Sequence, residues 1–262
     1  MKRALITLAT LCLSATAFAD NNSPVQFSGF GTLGTAISHD RDADFVSYFE
    51  QSEGVGATHG RDNGLDTLFG VQANATLTKG LTATAQIQSH RLADKTSTPY
   101  FEWANLKYDF SNGWNVRLGR VVTPMFMISD SRAVGYAQTA VRLPGEVYNL
   151  NPIRYVDGGD VSYEFAVNDV LYKAAFTGGK LTQKLPTFFG DLSNHYDVKL
   201  FTLAIEVDSS IFRFGYGHSI LDFSNADLDM LGFALDTLSA ANVPGASRFA
   251  ELAVYDHFWT HF

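Results

Sequence analysis

Apolar and polar residues alternate along most of this chain. Over 69–77, Phe69, Val71, Ala73, Ala75 and Leu77 interleave with Gly70, Gln72, Asn74 and Thr76. After Lys79-Gly80 the pattern resumes, with Leu81, Ala83, Ala85 and Ile87 against Thr82, Thr84, Gln86 and Gln88. A period of two predicts strands, and a two-residue turn between them predicts a hairpin. The same rhythm marks 25–38, 103–110, 114–118, 160–168, 172–176, 201–207 and 212–216. Nine strands are read this way, with a tenth expected from Glu251 to Phe262.

The connections fall into two classes. Those at 79–80, 111–113, 168–169 and 208–210 are short, while those at 39–63, 92–99, 121–158 and 179–195 are medium or long. Short turns on one side and long loops on the other are the asymmetry of outer-membrane barrels. The polar face carries Gln, Asn, Thr, Lys, Arg, Glu or Asp in nearly every strand. The apolar face is aromatic near strand ends, at Tyr108, Phe110, Trp114 and Phe212. Strands can cross lipid only when a closed sheet pairs every backbone group. Alternation by itself also suits an ordinary secreted β protein.

Residues 225–241 break the rhythm. Leu228, Leu231, Leu235 and Leu238 recur at helical spacing, with Asp227 and Asp229 early, where the helix dipole favours them. A short amphipathic helix packed on the rim is expected, a plug or partner contact being the sharper alternative.

The first nineteen residues read MKRALITLATLCLSATAFA. A basic start, a short apolar run and Ala17-Phe18-Ala19 predict a signal peptide cleaved before Asp20. The only cysteine, Cys12, lies inside it, so no disulfide, cysteine metal site or cysteine nucleophile is expected in the remainder. No second apolar run reaches the length of a membrane-spanning helix. Aromatics make up 13% of the chain, with 22 Gly and only 7 Pro. A net charge of −8 argues against nucleic acid as a partner.

Catalytic and metal-binding readings fail on geometry. His218 and Ser219 are adjacent, so in a strand they face opposite ways and cannot pair as base and nucleophile. Asp40, Asp42 and Asp44 are spaced like calcium ligands, but the sixth position is Phe45 and the twelfth Gln51. A solvated acidic loop is the better reading. Gly29, Gly31 and Gly34 lie in a strand with no helix after it, unlike a nucleotide loop. No enzyme activity and no cofactor are expected.

The strand VQFSGFGTLGTAIS, the hairpin FEWANLKYDFSNGWNVRLGR and the segment TPMFMISDSRAVGYAQTAVRLPGEVYN directly after it resemble the Gram-negative outer-membrane porin family. The resemblance covers nearly all of 20–262. It implies an all-β, antiparallel transmembrane barrel in the cell outer membrane, in contact with outer-membrane lipid and lipopolysaccharide and assembled as a homotrimer. It implies a third long loop folded inward, which accounts for the oily segment after Arg120. Family members have sixteen strands, so about ten here point to a truncated chain, a complete ten-strand barrel being the other option. Passive diffusion of small hydrophilic solutes is the expected function. A non-conducting adhesin or structural barrel, or a non-functional fragment, is the alternative. Strand parity turns Lys107, Arg117 and Arg213 inward. Asp130, Arg132, Arg142, Glu146 and Arg154 lie in the expected constriction loop, and Arg120, at the junction, is grouped with them. Opposed charges there would set a transverse field across a narrow passage. Alternatively, some of them merely pair and pin the loop.

Overall fold

The computed structural model describes residues 11–12, 23–48, 51–149, 153–187, 190–224, 226–253 and 258–261. The leader expected at 1–19 lies outside these, apart from Leu11–Cys12, which pair with Leu33 and Thr32. Nine long strands follow. They are β1 (Val25–Leu33), β2 (Leu68–Thr78), β3 (Leu81–His90), β4 (Tyr100–Asp109) and β5 (Trp114–Val122). They continue as β6 (Tyr155–Val167), β7 (Val170–Thr187), β8 (Gly190–Val207) and β9 (Ser210–Ser224). Each pairs antiparallel with the next in one sheet.

The expected tight turns are in place. Asn168 and Asp169 both take positive φ, which a two-residue turn matched to the sheet's twist demands. Gly119 in β5 takes φ +121, and an added Cβ would sit 2.3 Å from the Ala104 carbonyl oxygen. Only glycine serves there.

The two faces carry the polarity of a protein immersed in lipid. Phe69, Val71, Leu118, Phe201, Phe212, Phe214 and Tyr216 are exposed, whereas Gln86, Gln88, Asp160, Thr177 and Thr202 are buried. Apolar side chains point out and polar ones point in, the reverse of a water-soluble sheet.

This polarity inverts partway up the wall. Phe176, Phe201 and Tyr216 form one rung across β7, β8 and β9. Beyond it the inward residues Leu181, Tyr196, Val198 and Leu200 are buried and apolar. The outward residues Lys180, His195 and Lys199 are exposed and polar. The medium loop expected at 179–195 is therefore a continuation of two strands. Residues 170–187 and 190–207 pair along their whole length, with only 188–189 between them.

Within the long connection after β5 is the short helix α1 (Gly145–Tyr148). The helix expected at 225–241 is α2 (Ala226–Ala240), and a second one, α3 (Ala246–Ala253), packs against it. Leu231 and Leu238 are exposed, together with Met230 and Phe233, so these leucines do not seat the helix on the rim. The strand expected from Glu251 to Phe262 is shorter. Residues 251–253 belong to α3 and, among the described residues of the expected strand, Phe258–His261 pair with β9, while 254–257 and 262 lie outside the described residues.

Candidate functional site

The connection from 123 to 154 leaves the middle of the sheet, between β5 and β6. Neighbouring strands lie about 4.8 Å apart, so each flank of a flat sheet would be some four strand spacings away. The loop nevertheless touches both flanks. On one side Arg213 of β9 donates to the Phe126 carbonyl oxygen at 2.9 Å. On the other, the Arg142 guanidinium pairs with Asp66, with Nε 2.6 Å from Oδ1, beside the start of β2. Asn149 Nδ2 donates to the Ser47 carbonyl oxygen at 3.3 Å. The sheet is curled, and the loop lies across its concave side.

The oily start of the loop has its counterpart in the inverted part of the wall. Met125 packs on a buried cluster of Val121, Ile153, Val156, Leu181, Tyr196 and Val198. Phe126 packs on Tyr148 of α1, with ring centroids 5.0 Å apart. Met125 and Phe126 thus cover apolar surface that would otherwise face water, while Met127, between them and the rest of the loop, is exposed.

Beneath the loop lies a cavity of about 430 Å³. Its charged lining comprises four cations, Lys107, Arg117, Lys173 and Arg213, and four anions, Asp109, Asp130, Asp160 and Glu164. All but Asp130 come from strands, at inward positions. Arg117 pairs with Asp160 across β5 and β6, Nη2 to Oδ2 2.7 Å, and the Asp160 side chain is only 4% exposed. Lys107 Nζ lies 2.9 Å from Asp109 Oδ1 on the same strand face.

The expected residues divide accordingly. Lys107, Arg117, Asp130 and Arg213 meet at this cavity. Arg132 and Arg142 instead line a smaller pocket with Tyr48 and Asp66, where the long loop meets the first one. Arg154 approaches Tyr100, Nη1 to the hydroxyl 3.4 Å. Glu146 is exposed on α1 and lines neither cavity. Arg120 stands on the opposite face of the sheet, three residues from Arg117 and so of opposite parity. There it pairs with Asp157, Nε to Oδ1 2.7 Å. Asp109, Asp160, Glu164 and Lys173 were missed, although the parity that placed Arg117 also places them.

The sheet's outward apolar face, inward polar face and antiparallel meander decide the architecture. It is an outer-membrane β-barrel. Its place is the outer membrane, where the outward apolar side chains of the strands meet lipid. Among the described residues no helix is long and apolar enough to cross a membrane. No protein-family model and no curated protein matches the chain. Several solved structures are similar. A loop L8 deletion mutant of OmpT, an outer membrane protein of Vibrio cholerae, is 14% identical with a TM-score of 0.35, over 78% of this chain and 72% of that one. In-vitro folded OmpT in a trimer form is 14% identical at 0.34, over 78% and 68%. Outer-membrane expressed OmpT is 13% identical at 0.35, over 78% and 67%.

The first long loop is tied to the barrel by Asp62. Burial works to raise the pKa of this carboxyl. Donation from Arg91 and from the Gly64 and Leu65 N–H groups outweighs it and holds the carboxyl below the usual carboxylate range. A depressed folded-state pKa gives stability that is present above the unfolded value, about 3.9, and lost as pH falls through the folded one. Amide exchange at Gly64 and Leu65 should therefore stay slow at neutral pH and accelerate below about pH 4. Exchange measured by NMR or mass spectrometry at matched chemical rates checks this. Unchanged protection in acid would mean that Asp62 is not the tie.

Proposed function

We propose that this barrel is a porin, a non-catalytic channel for passive diffusion of small hydrophilic solutes. The observation that supports it best is the inward loop, fastened to both flanks and roofing a cavity whose charges are evenly divided in sign. A water-filled passage narrowed in this way admits solutes by size and charge. Opposed fixed charges order the water between them, and an apolar solute gains nothing to replace that order. Arg117–Asp160 and Lys107–Asp109 are pairs along the wall rather than across it. Asp130, reaching the cavity from the loop, is the group best placed to set a field across the passage. The separation of His218 and Ser219 onto opposite faces of β9 supports the absence of a hydrolytic dyad.

The test is electrical. The full chain, folded in detergent and added to a planar bilayer, should give stepwise conductance increments. Liposomes carrying it should swell in isosmotic solutions of small sugars and not of large ones. A folded, heat-modifiable protein that gives neither result would refute conduction and favour a structural or adhesive barrel.

A further inference from the structure

We infer that Lys180 and Lys199 form a docking site for the phosphate of an outer-leaflet lipid headgroup. The first step is the height of these residues on the wall. Phe176, Phe201 and Tyr216 are the last outward apolar rung on β7, β8 and β9, and all three are exposed. The next outward rung holds Gly178, Lys199 and His218, and the one above it Lys180, Asp197 and Ile220. At the same point the inward face of β7 and β8 turns from Thr177 and Thr202 to Leu181, Tyr196, Val198 and Leu200, with Ser219 and Asn194 remaining polar. A sheet that is apolar outside below this line and apolar inside above it meets lipid below and water above. The line is the upper edge of the hydrocarbon, and the two lysines stand on it.

The second step is partnership. The other cation at this height, Arg120, is fully engaged, by Asp157 and by the Phe101 carbonyl oxygen at 2.8 Å. Lys180 is in cross-strand register with both Asp157 and Asp197, yet forms an ion pair with neither. Lys199 faces His218 and, among the described residues, has no carboxylate within ion-pairing distance. Both lysines are exposed. Their diagonal placement on adjacent strands sets the two stems roughly 7–8 Å apart. Lysine stems lie along apolar surface and carry the ammonium to the headgroup layer. Two ammonium groups without partners, at that depth and that spacing, fit one phosphate between them.

The inference rests on the barrel's place in the membrane and not on conduction. Its test uses the full chain in dodecyl maltoside, with phosphatidylglycerol as the phosphate probe, phosphatidylcholine as the zwitterionic comparison and inorganic phosphate as competitor. Retained lipid is counted by native mass spectrometry. Wild-type protein should retain phosphatidylglycerol in preference. Lys180→Gln with Lys199→Gln should weaken that binding by roughly 25-fold, about fivefold per lysine. Lys173→Gln, an equal charge change on the inward face of β7, should leave it within about twofold. Unaltered retention by the double variant would overturn the proposal, as would an equal loss with Lys173→Gln. Complete displacement by millimolar inorganic phosphate would make this a free-anion site and not a lipid site. A change in oligomeric mass with lipid retention unchanged would assign the face to a second copy of the chain, again against the proposal.

Discussion

Arg117→Ala is expected to turn the channel toward cations. Four cations and four anions line the cavity, so removing one guanidinium leaves an excess negative charge. That charge is Asp160, which loses its 2.7 Å partner and has almost no other access to solvent. A carboxylate felt at about 8 Å through an effective dielectric of 40–80 is worth about 0.5–1 kcal/mol. A passing cation gains this energy and a passing anion loses it, so the cation-to-anion permeability ratio should rise roughly six- to thirtyfold. The stranded carboxylate also costs about 1–3 kcal/mol of stability. Reversal potentials in a salt gradient read the first effect and thermal unfolding the second. Replacing both partners, Arg117→Met with Asp160→Leu, should bring selectivity back toward wild type. A selectivity that stays fixed in the single variant, with Arg117 reachable only by lipid-phase probes, would invert the assignment of faces.

Met125→Asp should release the loop. The side chain packs on the cluster of Val121, Ile153, Val156, Leu181, Tyr196 and Val198, in which the Tyr196 hydroxyl is the one side-chain group able to donate to a carboxylate. Leaving even a neutral polar group unpaired in such a place costs about 2–7 kcal/mol. The loop's remaining ties, chiefly Arg213 to Phe126 and Arg142 to Asp66, do not compensate for that penalty. Trypsin should then cut after Arg132 and Arg142 at least tenfold faster than in wild type, since cleavage follows the open population. Conductance should rise as the roof lifts. Met125→Leu keeps the packing and should remain protected. If the aspartate variant is equally protected, the apolar wall does not hold the loop.

The strands that face lipid were legible because each obeys one rule, apolar out and polar in. The rule failed where the membrane ends. Over 178–187 and 190–200 alternation continues, but Leu181, Val198 and Leu200 point inward while Lys180 and Lys199 point outward. Searching for the lipid-facing sense alone turns two strand halves into a loop. The loop's inward course came from family resemblance, and no local pattern encodes it. Its anchors are the pairs 66 with 142 and 126 with 213, and nothing in either neighbourhood names the other. Arg117 and Lys107 were found by parity, and the same parity would have found Asp160, Glu164 and Lys173. Arg120 was grouped with Arg117 because it adjoins the loop, although three residues along a strand is a change of face.

The loop that crosses the concave side also bears on how the molecule is assembled. Its ties join residues 76, 87 and 102 positions apart in sequence, one to β9 and two to the first long loop beside β2, where Ser47 and Asp66 are themselves bonded. Contacts of such separation form after local hairpins, because loop-closure entropy must be overcome first. Both flanks must be curled toward one another before the segment can be held at all. The loop therefore acts as a late checkpoint, ordered only on a wall that has taken its final curvature. A chain caught before that stage would display Met125, Phe126 and the bare apolar wall together. That surface is the one on which an assembly intermediate would aggregate or be captured by a periplasmic holdase.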